Sequence, residues 1–169
     1  MDEKKLVQEV CRKGVIVPTL RYSEKEVQLA AVGWVRNSRR SGAGWACILR
    51  YANTPKWLTG RCESKSEIRM ELMGIVAGLK QLKHPCLVAI ATAASYLFES
   101  AGQLLRPRKC YGFVNDVRTG TAKNADLWKE FEQLCKTHAV HMCWVPARSR
   151  HIDSHAARHA ARNASYCTN

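Results

Sequence analysis

The spacing of apolar residues along this chain changes once, near Ser66. That change limits the folds that the chain can form. Before it, three apolar runs at residues 28–36, 45–51 and 56–63 are separated by short turns, a pattern that predicts an antiparallel meander of three strands. After it, apolar residues recur at helical spacing from 66 to 83. The chain therefore combines an antiparallel sheet with helices.

The second half of the chain alternates strand and helix signals. The predicted elements are, in order, a strand at 86–91, a helix at 94–104, a basic segment at 105–111, a helix that begins after Asn124, a strand at 141–145 and a helix at 152–164. This order predicts an α/β fold with one mixed five-stranded sheet, in which three antiparallel strands are followed by parallel strands and helices flank both faces.

A single domain accounts for most of the 169 residues. We expect residues 28–164 to form it. Residues 1–27 are predicted to be an N-terminal extension with a short helix and a linker, and residues 165–169 a C-terminal tail.

The charge balance points to a polyanionic partner. Lys and Arg number 27 against 14 Asp and Glu, which gives a net charge of +13, and the bases are spread along the chain. Such a balance favours nucleic acid through phosphate contacts, although a merely basic soluble protein would have the same composition. The eight cysteines contain no C-x-x-C pair, and the chain contains no signal peptide or membrane-length apolar run. We therefore expect a cytoplasmic protein with reduced thiols and no membrane partner.

Glu71 is the strongest candidate for a site residue. It lies among apolar neighbours in the predicted helix after Ser66. A charge in such surroundings is unfavourable unless it faces a cleft, a cation or a hydrogen-bond partner.

Several segments, met in order, resemble a type 1 ribonuclease H domain. They are Gly44–Tyr51 (GWACILRY), Arg69–Met73 (RMELM), Ala91–Tyr96 (ATAASY), Lys123–Trp128 (KNADLW) and Trp144–Val145. The resemblance implies a ribonuclease H-like fold over residues 28–164. It also implies chemistry in which four clustered carboxylates hold two divalent cations that hydrolyse the RNA strand of an RNA/DNA hybrid.

Carried onto this sequence, the family's carboxylates are mostly absent. The Glu of the first helix is Glu71, whereas the first-strand Asp falls at Gly33 by spacing back from Gly44 and the fourth-strand Asp falls at Ala93. The last Asp falls at Ser154, or at Asp153 if the alignment shifts by one residue. We therefore expect no two-metal site and no cofactor.

An alternative is a rebuilt metal site. His151, His155 and His159 are spaced to share one helical face, and Glu71, Asp153 and His155 could together bind a cation. In that case Mg²⁺ or Mn²⁺ would be the cofactor. The same histidines could equally form a polar stripe that contacts solvent or phosphate.

The resemblance also implies a nucleic-acid surface. Ser66 and Asn124 match a pocket for a DNA phosphate, although both could simply cap helices. Basic residues occur at the family's basic handle, at the first turn and around the last helix, and ordinary solvated charge is the alternative for all of them. They are Arg106, Arg108 and Lys109, then Arg36, Arg39 and Arg40, then Arg148, Arg150, Arg158 and Arg162, of which Arg148 falls at the position of the family's flexible-loop His.

These observations predict a nucleic-acid-binding ribonuclease H-like protein without two-metal nuclease activity. Its partner would be an RNA/DNA hybrid or duplex RNA, and other proteins of a nucleoprotein complex could join it. Two alternatives stay open: an active hybrid endoribonuclease with the rebuilt site, and a protein-interaction module whose basic surface meets an acidic partner.

Overall fold

The computed structural model describes residues 26–36, 42–105, 111–146 and 151–166. Its strands are β1 (Glu26–Val35), β2 (Ala43–Tyr51), β3 (Thr54–Cys62), β4 (Leu87–Thr92) and β5 (Ala139–Trp144). Its helices within those ranges are α1 (Glu67–Lys80), α2 (Ser95–Leu105), α3 (Tyr111–Thr119), α4 (Ala125–Thr137) and α5 (Ile152–Tyr166).

The five strands form one mixed sheet in the order β3-β2-β1-β4-β5. β1 and β3 pair with β2 in the antiparallel sense, whereas β4 pairs in the parallel sense with both β1 and β5. The predicted fold, with three antiparallel strands followed by parallel strands, is confirmed.

The two faces of the sheet are covered differently. Alternate β1 residues such as Leu29 point into the large apolar core that includes α1, α2 and α4. On the other face, Ala157 and Ala161 of α5 pack against Ala46 and Ile48 of β2. The small side chains let α5 lie close to the sheet.

Two glycines of α1 lie where that helix packs closely against the sheet. A Cβ at Gly78 would lie 2.6 Å from Cys47 Sγ and 2.8 Å from Leu29 Cδ1. A Cβ at Gly74 would lie 3.2 Å from the Cβ of Ala31. The helix therefore approaches β1 and β2 on the face that carries these glycines.

One helix was not predicted. Helix α3 follows the basic segment, where the sequence showed no helical period, and it buries Val114 and Val117.

The predicted helix at 152–164 extends to Tyr166, so part of the supposed C-terminal tail is helical. The predicted N-terminal helix and linker lie outside the described residues. None of the described helices is long and apolar enough to cross a membrane.

Candidate functional site

Glu71 lies in the first half of α1, facing the end of β4. Its Oε1 accepts a hydrogen bond of 2.6 Å from the hydroxyl of Thr92, the last residue of that strand. Thr92 is 1% exposed, and its Oγ1 in turn accepts from the backbone N–H of Ala94 at 3.1 Å. The acid is therefore held in place by a buried hydroxyl.

The surroundings of Glu71 change its ionisation. The residue keeps some exposed surface, but its carboxyl group is desolvated, and this burial raises its pKa from 4.5 to about 7. The Thr92 hydrogen bond and the positive charge of Arg158 act in the opposite direction and lower the pKa, but burial is the larger effect. Near neutral pH, Glu71 is thus present in both protonation states.

Gly33, to which spacing assigned the first-strand acid, has no room for a side chain in this structure. A Cβ there would lie 2.2 Å from the carbonyl oxygen of Glu67 and 2.7 Å from the backbone nitrogen of Glu71. Any side chain would displace α1, so this site is glycine because helix and strand backbones meet.

The alignment of β1 with the end of β4 points to Val32 as well as Gly33. The ladder between β1 and β4 ends at the pair Ala30–Ala91, and extending it by two residues would place Ala93 opposite Val32. Val32 packs on the α5 side, against the alanines of that helix. Counting back from Gly44 could not detect this one-residue shift, but neither Val32 nor Gly33 carries a carboxylate.

Asp153 is already engaged. Its two carboxylate oxygens accept from Nε and Nη2 of Arg50 on β2, at 2.9 and 2.6 Å. The Asp153 side chain is 10% exposed and that of Arg50 is 28% exposed. This partly buried bidentate ion pair leaves Asp153 as an anchor for the first turn of α5, not as a free partner of Glu71.

The histidines of α5 do not join the acids. Nδ1 of His151 lies 2.7 Å from the hydroxyl of Ser154 and accepts from its backbone N–H at 3.1 Å. His155 and His159 are exposed and meet edge to face, with ring centroids 5.0 Å apart. Within the described ranges, no three His, Cys, Asp or Glu side chains are grouped so as to hold a metal ion. The rebuilt set of Glu71, Asp153 and His155 is therefore not assembled.

Ser66 and Asn124 behave differently from each other. Ser66 caps α1, since its hydroxyl accepts from the backbone N–H of Arg69 at 3.2 Å. Asn124 precedes α4 in a left-handed conformation (φ 61°, ψ 33°), and its side chain makes no capping hydrogen bond. The capping alternative is thus confirmed for Ser66 and wrong for the side chain of Asn124.

Asn124 is instead held by Arg69. The Nη1 of Arg69 donates to Asn124 Oδ1 at 3.2 Å and to Asp126 Oδ1 at 3.0 Å, while its Nη2 donates to Asp126 Oδ2 at 2.7 Å. The hydrogen bonds from Arg69 lower the pKa of Asp126 and keep it charged. Nδ2 of Asn124 is buried and has no hydrogen-bond partner among the described residues. Arg69 thus links the start of α1 to the start of α4. Beside this link, the Nδ2 donor of Asn124 has no acceptor among the described residues.

Of the predicted basic residues, Arg36, Arg158 and Arg162 fall within the described ranges. Arg158 is exposed on α5, and its charge acts on Glu71. The remaining seven lie outside the described residues: Arg39, Arg40, Arg106, Arg108, Lys109, Arg148 and Arg150.

Sequence reasoning missed Arg50, Arg69 and Thr92 as parts of the site. Arg69 lies inside the RMELM motif, and its position two residues before Glu71 was the available signal. No local pattern marks the Arg50 contact, because its partner Asp153 is 103 residues away.

Similarity to known proteins identifies the family to which this chain belongs. The family model for RNase H matches residues 26–166. A ribonuclease H of Campylobacter jejuni subsp. jejuni serotype O:23/36 (strain 81-176) is 33% identical over 140 residues, which cover 83% of this chain and 91% of the relative. The chain therefore belongs to the ribonuclease H family.

Solved structures share the fold at low identity. LC9-RNase H1, a type 1 RNase H with the type 2 active-site motif, superimposes with a TM-score of 0.67 and 18% identity. The match covers 86% of this chain and 74% of the LC9-RNase H1 chain. LC11-RNase H1, solved in complex with an RNA/DNA hybrid, superimposes with a TM-score of 0.60 and 9% identity. The match covers 82% of this chain and 96% of the LC11-RNase H1 chain.

The described residues do not fit the two divalent cations that the family resemblance implies. Mg²⁺ needs several hard oxygen ligands that are free to coordinate. Glu71 is one such group, but Asp153 is bound to Arg50 and no side chain fits at Gly33. Ala93, at the end of β4, supplies no ligand atom from its side chain.

Proposed function

We propose that this protein binds an RNA/DNA hybrid or duplex RNA and does so without two-metal nuclease activity. The single observation that carries the proposal is the buried amide of Asn124, a hydrogen-bond donor with no acceptor among the described residues. An unsatisfied buried donor is unfavourable, and a small movement of this partly exposed side chain would let it meet an acceptor outside the described residues, such as a phosphate oxygen.

The setting of that amide suits a phosphate oxygen. Arg69 is bound to Asn124 Oδ1, which orients the Nδ2 group away from it. The N-termini of α1 and α4 meet at this corner, and helix N-termini attract anions. The corner matches the phosphate pocket implied by the family resemblance, and LC11-RNase H1 is known in complex with an RNA/DNA hybrid. The net charge of +13 supports the same partner.

The same neighbourhood supports the proposed absence of two-metal activity. With Asp153 bound to Arg50 and no carboxylate at Gly33, Val32 or Ala93, Glu71 has no second acid with which to share a cation. No observation favours the rebuilt hydrolase, because its three residues are not assembled. Mg²⁺ would then be dispensable for binding.

Binding and cleavage are measured together on labelled RNA/DNA hybrid, duplex RNA and single strands, in Mg²⁺, Mn²⁺ or EDTA. We expect binding that weakens with salt, is about equal in Mg²⁺ and EDTA, and is accompanied by no cleavage. Asn124→Ala should weaken hybrid binding at least about tenfold, since a hydrogen bond to a charged group contributes roughly 1.5–3 kcal/mol. Asn115→Ala, on the exposed surface of α3, is the matched control.

Two results would overturn the proposal. Cleavage that disappears in Glu71→Ala would show a working nuclease site. Failure to bind any of the nucleic acids would instead favour a protein partner for the basic surface.

A further inference from the structure

A row of arginines and aromatic rings continues along α5 from the region of Glu71, Thr92 and Arg158, which we call the cleft. Arg162 lies one helical turn after Arg158, and its Cζ is 5.7 Å from the ring centroid of Trp34 on β1. One turn further on, the ring of Tyr166 is covered by the guanidinium of Arg36, with Cζ 4.4 Å from the centroid. We call Trp34, Arg36, Arg162 and Tyr166 the α5 track.

The track is held in shape by the backbone beneath it. A Cβ at Gly44 would lie 2.2 Å from the carbonyl oxygen of Ala161, so β2 and α5 touch directly here. The N–H of Arg36 donates to the carbonyl of Gly42 at 3.0 Å and fixes the residue after β1. The stacked side chains therefore need little further ordering when a ligand arrives.

The guanidinium groups of the track are not neutralised. Neither Arg36 nor Arg162 forms an ion pair with an acid in the part of the chain that the structure describes. A guanidinium stacked on a ring keeps its N–H edge available for a phosphate. Tyr166 is 46% exposed, and Trp34 is partly buried.

We infer that the α5 track binds a single-stranded extension of the nucleic acid whose duplex part occupies the cleft. This inference rests on the proposed function. The track joins the cleft because Arg158, which acts on Glu71, precedes Arg162 by one turn, about 6 Å along the helix. A base that is free of a duplex can stack on the exposed surface of Tyr166, while the guanidinium edges of Arg36 and Arg162 contact the backbone. Such contacts tolerate any base sequence.

The test compares a blunt RNA/DNA hybrid with the same hybrid carrying a single-stranded RNA extension at either end. Fluorescence anisotropy on the full chain gives the ratio of the two affinities. We expect one extension to strengthen binding about tenfold, equivalent to about 1.4 kcal/mol. That value lies at the lower end of the range for base stacking on an aromatic side chain.

Variants of exposed residues locate the effect. Arg162→Ala and Tyr166→Ala should bring the ratio close to one and leave blunt-hybrid affinity nearly unchanged, whereas Tyr166→Phe should keep the ratio. Arg118→Ala, on α3, is the matched control for loss of one exposed arginine. Quenching of tryptophan fluorescence by the extension should disappear in Trp34→Phe.

The outcomes separate the two proposals. Equal affinity of the wild-type chain for blunt and extended hybrids, or an unchanged ratio in both alanine variants, overturns the track and leaves the proposed function standing. Failure to bind any hybrid or duplex RNA overturns both.

Discussion

Replacing Glu71 by Gln should stabilise the protein at alkaline pH. Burial raises the pKa of Glu71 from 4.5 to about 7, so the folded state binds this proton more tightly than the unfolded state does. The resulting stability is fully present below pH 4.5 and is lost as the pH rises through 7. At about 1.36 kcal/mol per pH unit, the interval from 4.5 to about 7 corresponds to roughly 3 kcal/mol.

Urea denaturation of wild type and Glu71→Gln between pH 4.5 and 8 measures this effect. The glutamine carbonyl can still accept from the Thr92 hydroxyl, so we expect nearly equal free energies of unfolding at pH 4.5 and a variant about 3 kcal/mol more stable at pH 8. Taking the difference between the two proteins removes the titration of other groups, such as Glu26, whose pKa burial raises to about 6. Glu99→Gln, on the exposed surface of α2, is the matched control for the loss of one carboxylate. A difference that stays constant with pH, or a variant less stable at pH 8, would refute the reasoning.

Two further substitutions test the packing around the cleft by the same denaturation assay. Gly33→Ala should lower the free energy of unfolding by about 3 kcal/mol or more, because its Cβ would overlap the α1 backbone, whereas Gly102→Ala, with no atom within 4 Å, should raise it by up to about 1 kcal/mol. Equal effects of the two would contradict the close approach of β1 and α1. Arg50→Ala should cost about 2 kcal/mol at pH 7, between the values for exposed and buried ion pairs, because the Asp153 carboxylate loses both its hydrogen bonds. A loss below about 0.5 kcal/mol would show that the pair contributes little.

The order of strands and helices could be predicted because each element carries its own period. The apolar repeat from Ile68 to Leu79 predicted α1, and Ser66 marked its start. Helix α3 has no comparable pattern, and Gly112 and Asn115 are poor helix formers. It is a helix because Val114 and Val117 pack into the core, which is a tertiary effect.

The candidate site could be predicted only in part, since its contacts join distant segments. Glu71 was identifiable as a charge among apolar residues, but its partner Thr92 is 21 residues away and looks like an ordinary strand residue. The role of Gly33 depends on the approach of a helix backbone, which leaves no trace in local sequence. Spacing along the chain therefore assigned the first-strand acid to Gly33, whereas the register between β1 and β4 points to the neighbouring residue, Val32.

The acids near the cleft already have their charge balanced by the protein itself. Asp153 is paired with Arg50, Asp126 with Arg69, and the raised pKa of Glu71 keeps part of its population neutral at pH 7. A cluster of free carboxylates repels phosphate until divalent cations neutralise it. Where protein cations and bound protons do this instead, a phosphodiester can approach without a metal. The dependence of binding on Mg²⁺ is therefore as informative as cleavage, because it reports directly on whether the charge of this cleft is balanced from within.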